Sequence, residues 1–172
     1  MTGAARTAVP TRRHPVSDTR TSVRFTVRNL GIPVEGSIAL RCGEVEVADD
    51  GVPVRARAEF DLASLDTGVT RRDADLRRAR FLAVDRQTVM VWTCDRFTRG
   101  PEGCWLAAGT LVVRGTATPL EVAGVAEPGD GGTLVRAAAT LDRRAVGIRA
   151  PRFLVGRVVR IEIDAWLEAP RR

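Results

Sequence analysis

Proton-transfer and metal chemistry have little to work with in this chain. It holds one histidine, His14, with no tyrosine and no lysine, so acid–base catalysis would fall to carboxylates and thiols. Asp73 and Asp75 lie in the run RRDADLRRAR, and Asp95 stands beside Cys94. Each is more simply read as a structural group than as a catalyst, Asp73 as a salt link to Arg72 or Arg77. Cys42, Cys94 and Cys104 form no C-x-x-C pair and have no histidine beside them, so neither a zinc site nor a disulfide framework is expected. No metal, cofactor or catalytic residue is predicted. His14 falls in residues 1–16, a stretch with arginines and prolines that reads as a flexible tail, where it would simply be solvated. What the chain does have in quantity is rows of apolar side chains and one concentration of guanidinium groups.

Those rows have the period of strands. Val52, Val54, Ala56, Ala58, Phe60 and Leu62 share one face, against Arg55, Arg57, Glu59 and Asp61 on the other. Further strands are read at 22–30, 34–40, 44–48, 88–98, 104–114, 120–127, 133–141 and 158–168, separated by turn residues such as Gly31-Ile32-Pro33 and Asp49-Asp50-Gly51. Residues 142–153 read as irregular. Residues 70 to about 80 read as one short charged helix, with Thr67 or Thr70 as its cap. The expectation is an all-β domain over residues 17–169, a single antiparallel β-barrel of about eight strands in meander order with one short inserted helix. Closing the sheet removes its edges, and a lone helix in such a chain suggests a lid or plug.

An eight-stranded barrel is just wide enough to pack its own side chains or to hold one small or slender ligand. The inward row of the first strand is Val23, Phe25, Val27 and Asn29, and the next strand adds Ile38 and Leu40. Val54, Ala56, Ala58 and Phe60 follow, then Met90, Trp92 and Cys94, then Leu111 and Val113, and finally Ile161 and Ile163. Taken singly, each position is most simply read as packing against its neighbours. Taken together they form an almost wholly apolar interior, with small residues that leave room.

The formal charge of +6 does not point to nucleic acid. Acidic residues are interspersed with the arginines, and the few Phe and Trp do not alternate with basic residues as a base-stacking surface requires. RRDADLRRAR is read first as a solvated helix face and second as a clamp for an anionic headgroup at the barrel mouth. No window is long and apolar enough to span a bilayer, and the N-terminal residues lack the apolar centre of a secretory signal, so a cytoplasmic location is expected. Trp166, set among Arg160, Glu162 and Asp164, points outward and is read either as a homodimer contact or as lying under the N-terminal tail or the inserted helix.

The segment around the predicted helix resembles the pattern S-[ILV]-D-T-x(4)-R-D-x-H-L-R-S-x-x-F-L of the YceI-like family. Ser64, Leu65, Asp66, Thr67, Arg72, Asp73, Leu76, Arg77, Phe81 and Leu82 supply it here. The likeness continues in SVRFTVRNLGIPVEGSI, GTLVVRGTATPLEV and VRIEIDAWLEA, and matches best at Phe25, Val27, Leu30, Gly31, Gly36, Leu111, Gly115 and Pro119. The resemblance implies an elongated lipocalin-like barrel that binds, sequesters or transports a long hydrophobic molecule, an isoprenoid lipid or quinone, in its pore. An alternative is a barrel enzyme, working without a metal, that folds a polyene or polyketide-like substrate for cyclisation or isomerisation. Three positions where the family often places histidine are here Arg20, Asn29 and Asp75. A headgroup would therefore be met differently, and the amide of Asn29 could hydrogen-bond a quinone or carbonyl oxygen.

Overall fold

The structure, a computed structural model, describes residues 10–78, 81–151 and 155–170. Its strands are β1 (Thr11–Asn29), β2 (Ile32–Ala48), β3 (Pro53–Asp66), β4 (Val89–Arg99), β5 (Trp105–Val113), β6 (Thr116–Gly129), β7 (Gly132–Asp142) and β8 (Val155–Glu168), with one helix, α1 (Thr70–Leu76), between β3 and β4. Every strand pairs antiparallel with its neighbours in chain order, and β8 pairs back onto β1 to close the barrel. This is the lipocalin-like barrel that the alternation and the resemblance implied. Among the described residues no helix is long and apolar enough to cross a membrane.

The up-and-down order leaves two ends. At the helix end lie the 30–31 turn, the described residues of the α1 segment (67–78 and 81–88), the 114–115 turn and residues 143–151. At the hairpin end lie short links at 49–52, 100–104 and 130–131.

Irregularities of register account for the differences from the sequence reading. The tail was drawn too long: β1 starts at Thr11, residues 11–15 pair with β2, and Val16 pairs with Leu167 of β8. Register shifts between Ser17 and Ser22 break the period-2 pattern that would have announced this half of the strand. The strands expected at 34–40 and 44–48 are one. Leu40 faces Phe60 and Cys42 faces Glu59, so Arg41 is an extra residue, and beyond it the inward parity passes from Ile38 and Leu40 to Val45 and Val47. Pro119 lies inside β6 opposite Thr110, not in a turn. The helix ends at Leu76 rather than near 80, its N-cap is Val69, and neither threonine caps it. The expected terminus at Arg80 lies outside the described residues.

The most deeply buried side chains, Leu62, Val113 and Val146, lie toward the helix end and belong to one cluster with Leu65, Leu82 and Val84. Burying side chains of this size contributes about 1.5–3 kcal/mol each.

Candidate functional site

The helix end is built around polar groups that the folded chain must satisfy. Asp73 is buried, and its Oδ1 accepts hydrogen bonds from the Thr67 backbone N–H at 3.0 Å and from the Thr67 hydroxyl. Arg72 donates through Nε to Thr67 Oγ1 and through Nη2 to the Thr67 carbonyl, at 2.7 and 2.9 Å. Arg77 donates to the Leu65 carbonyl at 2.9 Å. The expected salt link from Asp73 to Arg72 or Arg77 is therefore replaced by a shared junction: carboxylate and guanidinium meet at Thr67, and the segment after β3 is bent over the barrel. Arg143 does the same work for residues 143–151. It is 3% exposed and donates to the carbonyls of Gly156, Ile148, Ala150 and Val155 at 2.8–2.9 Å. A buried guanidinium is tolerated where its donors are met in this way.

Beside this packed region runs a cavity of about 1000 Å³. Of the interior residues expected from the sequence, Val23, Phe25, Val27, Asn29, Ile38, Leu40, Ala56, Ala58, Phe60, Met90, Trp92, Leu111, Ile161 and Ile163 all line it. Three do not. Val54 is the extra residue where Glu46 faces Arg55 but Val47 faces Pro53, and Pro53 takes the inward place instead. Cys94 sits at another shift, between Cys94 and Phe97, and its buried thiol points at the Arg96 carbonyl 3.2 Å away. Val113 is spent in the helix-end packing.

Sequence reading passed over the inward rows of β6 and β7. Leu120, Val122 and Gly124, then Val135, Ala137, Ala139 and Leu141, line the cavity with the same period of two. That signal was present, weakened by small residues. His14 was also misplaced. It stands in β1 opposite Val45, lines the cavity toward the hairpin end, and its Nδ1 lies 3.0 Å from the Glu168 carbonyl oxygen. Of the positions where histidine was missing, Asn29 and Asp75 line the helix end of the cavity, whereas Arg20 lies outside. Its guanidinium covers the Trp166 ring at 3.6 Å, so Trp166 is covered within its own chain.

Two glycines shape the lumen by what they omit. A Cβ on Gly36 would come 2.3 Å from the Phe25 ring, and one on Gly109 would come 2.5 Å from the Trp92 indole. Both rings come close to a bare backbone, and Trp92 also donates its indole N–H to the Leu120 carbonyl at 3.1 Å. The aromatic groups thus line the wall and leave the centre open.

The chemistry of this lining is that of a solvent for hydrocarbon. Its wall is mostly aliphatic and aromatic; Asn29, Thr67, Arg71, Arg72, Asp75 and Arg143 line it at the helix end, His14, Glu44 and Thr133 toward the hairpin end, and Thr21 and Arg57 between them. Burial raises the pKa of the Cys94 thiol, which disfavours its nucleophilic form. Cys42 is likewise raised, by partial burial and by Glu59, and lies on the outside. Among the described residues no group of three or more His, Cys, Asp or Glu is placed to hold a metal ion.

A family model described as the YceI-like domain matches residues 15–167. BcnA of Burkholderia cenocepacia has a similar structure, with a TM-score of 0.78 at 14% identity, covering 88% of this chain and 98% of that one. A domain of Saccharophagus degradans described as polyisoprenoid-binding, and implicated in plant cell wall breakdown, gives 0.71 at 14% identity, covering 91% and 98%. The Campylobacter jejuni YCEI protein gives 0.62 at 12% identity, covering 100% and 90%. No curated protein matches the chain.

Proposed function

The chain belongs to the YceI-like domain family, and from that premise we infer that its barrel carries a long hydrophobic small molecule, an isoprenoid lipid or isoprenoid quinone. The observation that carries this reading is the lumen itself, about 1000 Å³ with a predominantly apolar wall. That volume is at the upper end of the roughly 300–1,000 Å³ range of small-molecule sites. β8 alone has 14 residues. At about 3.3 Å per residue and a tilt of about 40°, that is roughly 35 Å along the barrel axis, a shape for an extended chain rather than a compact ring system. Each 100 Å² of apolar ligand surface removed from water contributes about 2.5 kcal/mol before the costs of association. The description of the similar Saccharophagus degradans domain as polyisoprenoid-binding supports the isoprenoid class. Asn29 is the group at the helix end suited to donate to a quinone oxygen.

Native mass spectrometry of the purified protein, followed by organic extraction, tests this directly. The expected result is a co-purifying isoprenoid near one per chain. An empty barrel that also ignores added polyprenyl quinone would overturn the reading and favour a barrel enzyme of specialised metabolism. Ala58 lines the lumen opposite Trp92. Ala58→Trp fills that space, so quinone affinity should fall by at least about tenfold, or ~1.4 kcal/mol, with the fold retained by circular dichroism.

A further inference from the structure

The links at the two ends of the barrel differ in charge. Those at the hairpin end expose Asp49, Asp50, Glu102 and Asp130 and contain no basic residue, although the strand ends beside them expose Arg12, Arg13 and Arg99, and Arg12 pairs with Asp49 at 3.4 Å. The described connections at the helix end expose Arg71, Arg78, Arg86, Arg144 and Arg149, with Asp85 as the exposed acid among them. Arg78 is partly neutralised by Asp75, 3.0 Å away.

The same end carries apolar side chains where water would be expected to select polar ones. Leu30 and Ile32 are 65% and 67% exposed, and Val69 is 46% exposed. Leu30 and Gly31 form the β1–β2 turn with φ of 50° and 79°. A two-residue hairpin turn with both φ values positive ordinarily takes Asn, Asp or Gly at the first position, where Leu is both strained and poorly solvated. The β5–β6 turn has the same form, with Arg114 and Gly115 at φ of 55° and 72°, but there the first residue is polar, whereas Leu30 sets an aliphatic side chain in water. Arg28 holds the tip from below, donating to the Gly31 carbonyl at 3.1 Å. Val69 lines the lumen as well as being exposed, so this rim is continuous with the mouth of the cavity.

We propose that the helix end docks on the surface of an anionic bilayer, with Leu30 and Ile32 entering the headgroup boundary and the arginines contacting lipid phosphates. The proposal rests on the lumen reading for its purpose, since docking would set the cavity mouth against the layer from which a lipid is taken. Its evidence is separate. Arginines alone would suit nucleic acid equally. A base-stacking surface needs exposed aromatics, however, and the large exposed apolar residues here are aliphatic. Apolar tips set among arginines are instead the pattern of an interfacial lipid contact.

Flotation of the purified chain with two kinds of vesicle tests the proposal, one of phosphatidylcholine and one containing phosphatidylglycerol. Binding should require the anionic lipid and weaken by at least about tenfold between low salt and about 0.5 M salt, where the screening length shrinks to a few ångströms. The double variant Leu30→Asp, Ile32→Asp and the triple variant Arg86→Glu, Arg144→Glu, Arg149→Glu should each lose most of that binding. Asp49→Arg, Asp130→Arg at the opposite end should not. No binding to anionic vesicles, or binding unchanged by the tip and arginine variants alike, would overturn the proposal. So would a single-stranded oligonucleotide bound tightly through the same arginines but indifferent to Leu30 and Ile32. Titration with a soluble short-chain quinone separates the two readings. Retained quinone binding in the Leu30→Asp, Ile32→Asp variant with lost flotation supports docking on its own. Intact flotation with no quinone binding leaves docking standing while the lumen reading fails.

Discussion

The helix end and the lumen use the same alternating strands to opposite effect. At the helix end Val113 and Val146 are packed outside the cavity, and carbonyls are gathered by Arg72, Arg77 and Arg143. Along the lumen the corresponding positions carry smaller or flattened groups, Ala56, Ala58, Ala137, and rings laid over Gly36 and Gly109. A barrel of eight strands has room for its own side chains or for a guest. This one keeps a cavity that runs from one end to the other and packs side chains such as Val113 and Val146 beside it.

The contrast can be broken most strongly at Arg143. Arg143→Ala would leave four carbonyls, of Gly156, Ile148, Ala150 and Val155, without their donors. Each unmet buried acceptor costs about 1–3 kcal/mol, so a total loss of about 3 kcal/mol or more is expected in urea unfolding. A change below about 1 kcal/mol would mean that residues 143–151 are not held as described.

A matched pair of truncations sharpens the comparison. Val113→Ala removes two carbons from a packed site and should cost about 2 kcal/mol, transfer and cavity together. Val159→Ala removes the same atoms from the wall of a space already empty, so less than about 1 kcal/mol is expected. Equal losses by urea denaturation would argue that the lumen is packed and not hollow.

The smallest effect concerns acid. Arg157 donates to Asp142 Oδ2 at 2.6 Å, and this hydrogen bond, aided by the charge of the guanidinium, lowers the carboxyl pKa below its ordinary value. A carboxylate depressed in the folded state adds stability that is fully present above its unfolded pKa and is lost as pH falls through the folded one. Asp142→Asn should therefore lower the melting temperature slightly at neutral pH, with the difference closing as pH falls below the ordinary carboxylate range. A difference that widened on acidification would show that the pair does not act this way.

Much of the lumen was legible in the residues because a strand with one buried face announces it every second position. Where the alternation was clean, as in Val159, Ile161, Ile163, Ala165 and Leu167, the whole row lines the cavity. Where a strand gained a residue, the row changed face without any change in composition. Val54 and Cys94 were lost from the lumen and Val45 and Val47 entered it for this reason. His14 was hidden differently, since proline and a broken period made its segment look unpaired.

By itself the sequence determined the all-β class, the closed meander, the place of the helix and the apolar character of the interior. Those properties follow from local periodicity and turn chemistry, which act over a few residues. Only the tertiary structure decided where register slips, which apolar residues line the cavity and which pack beside it, and that Asp73 and Arg72 meet at Thr67. These depend on which distant residues close the barrel opposite one another, and no local pattern carries that information.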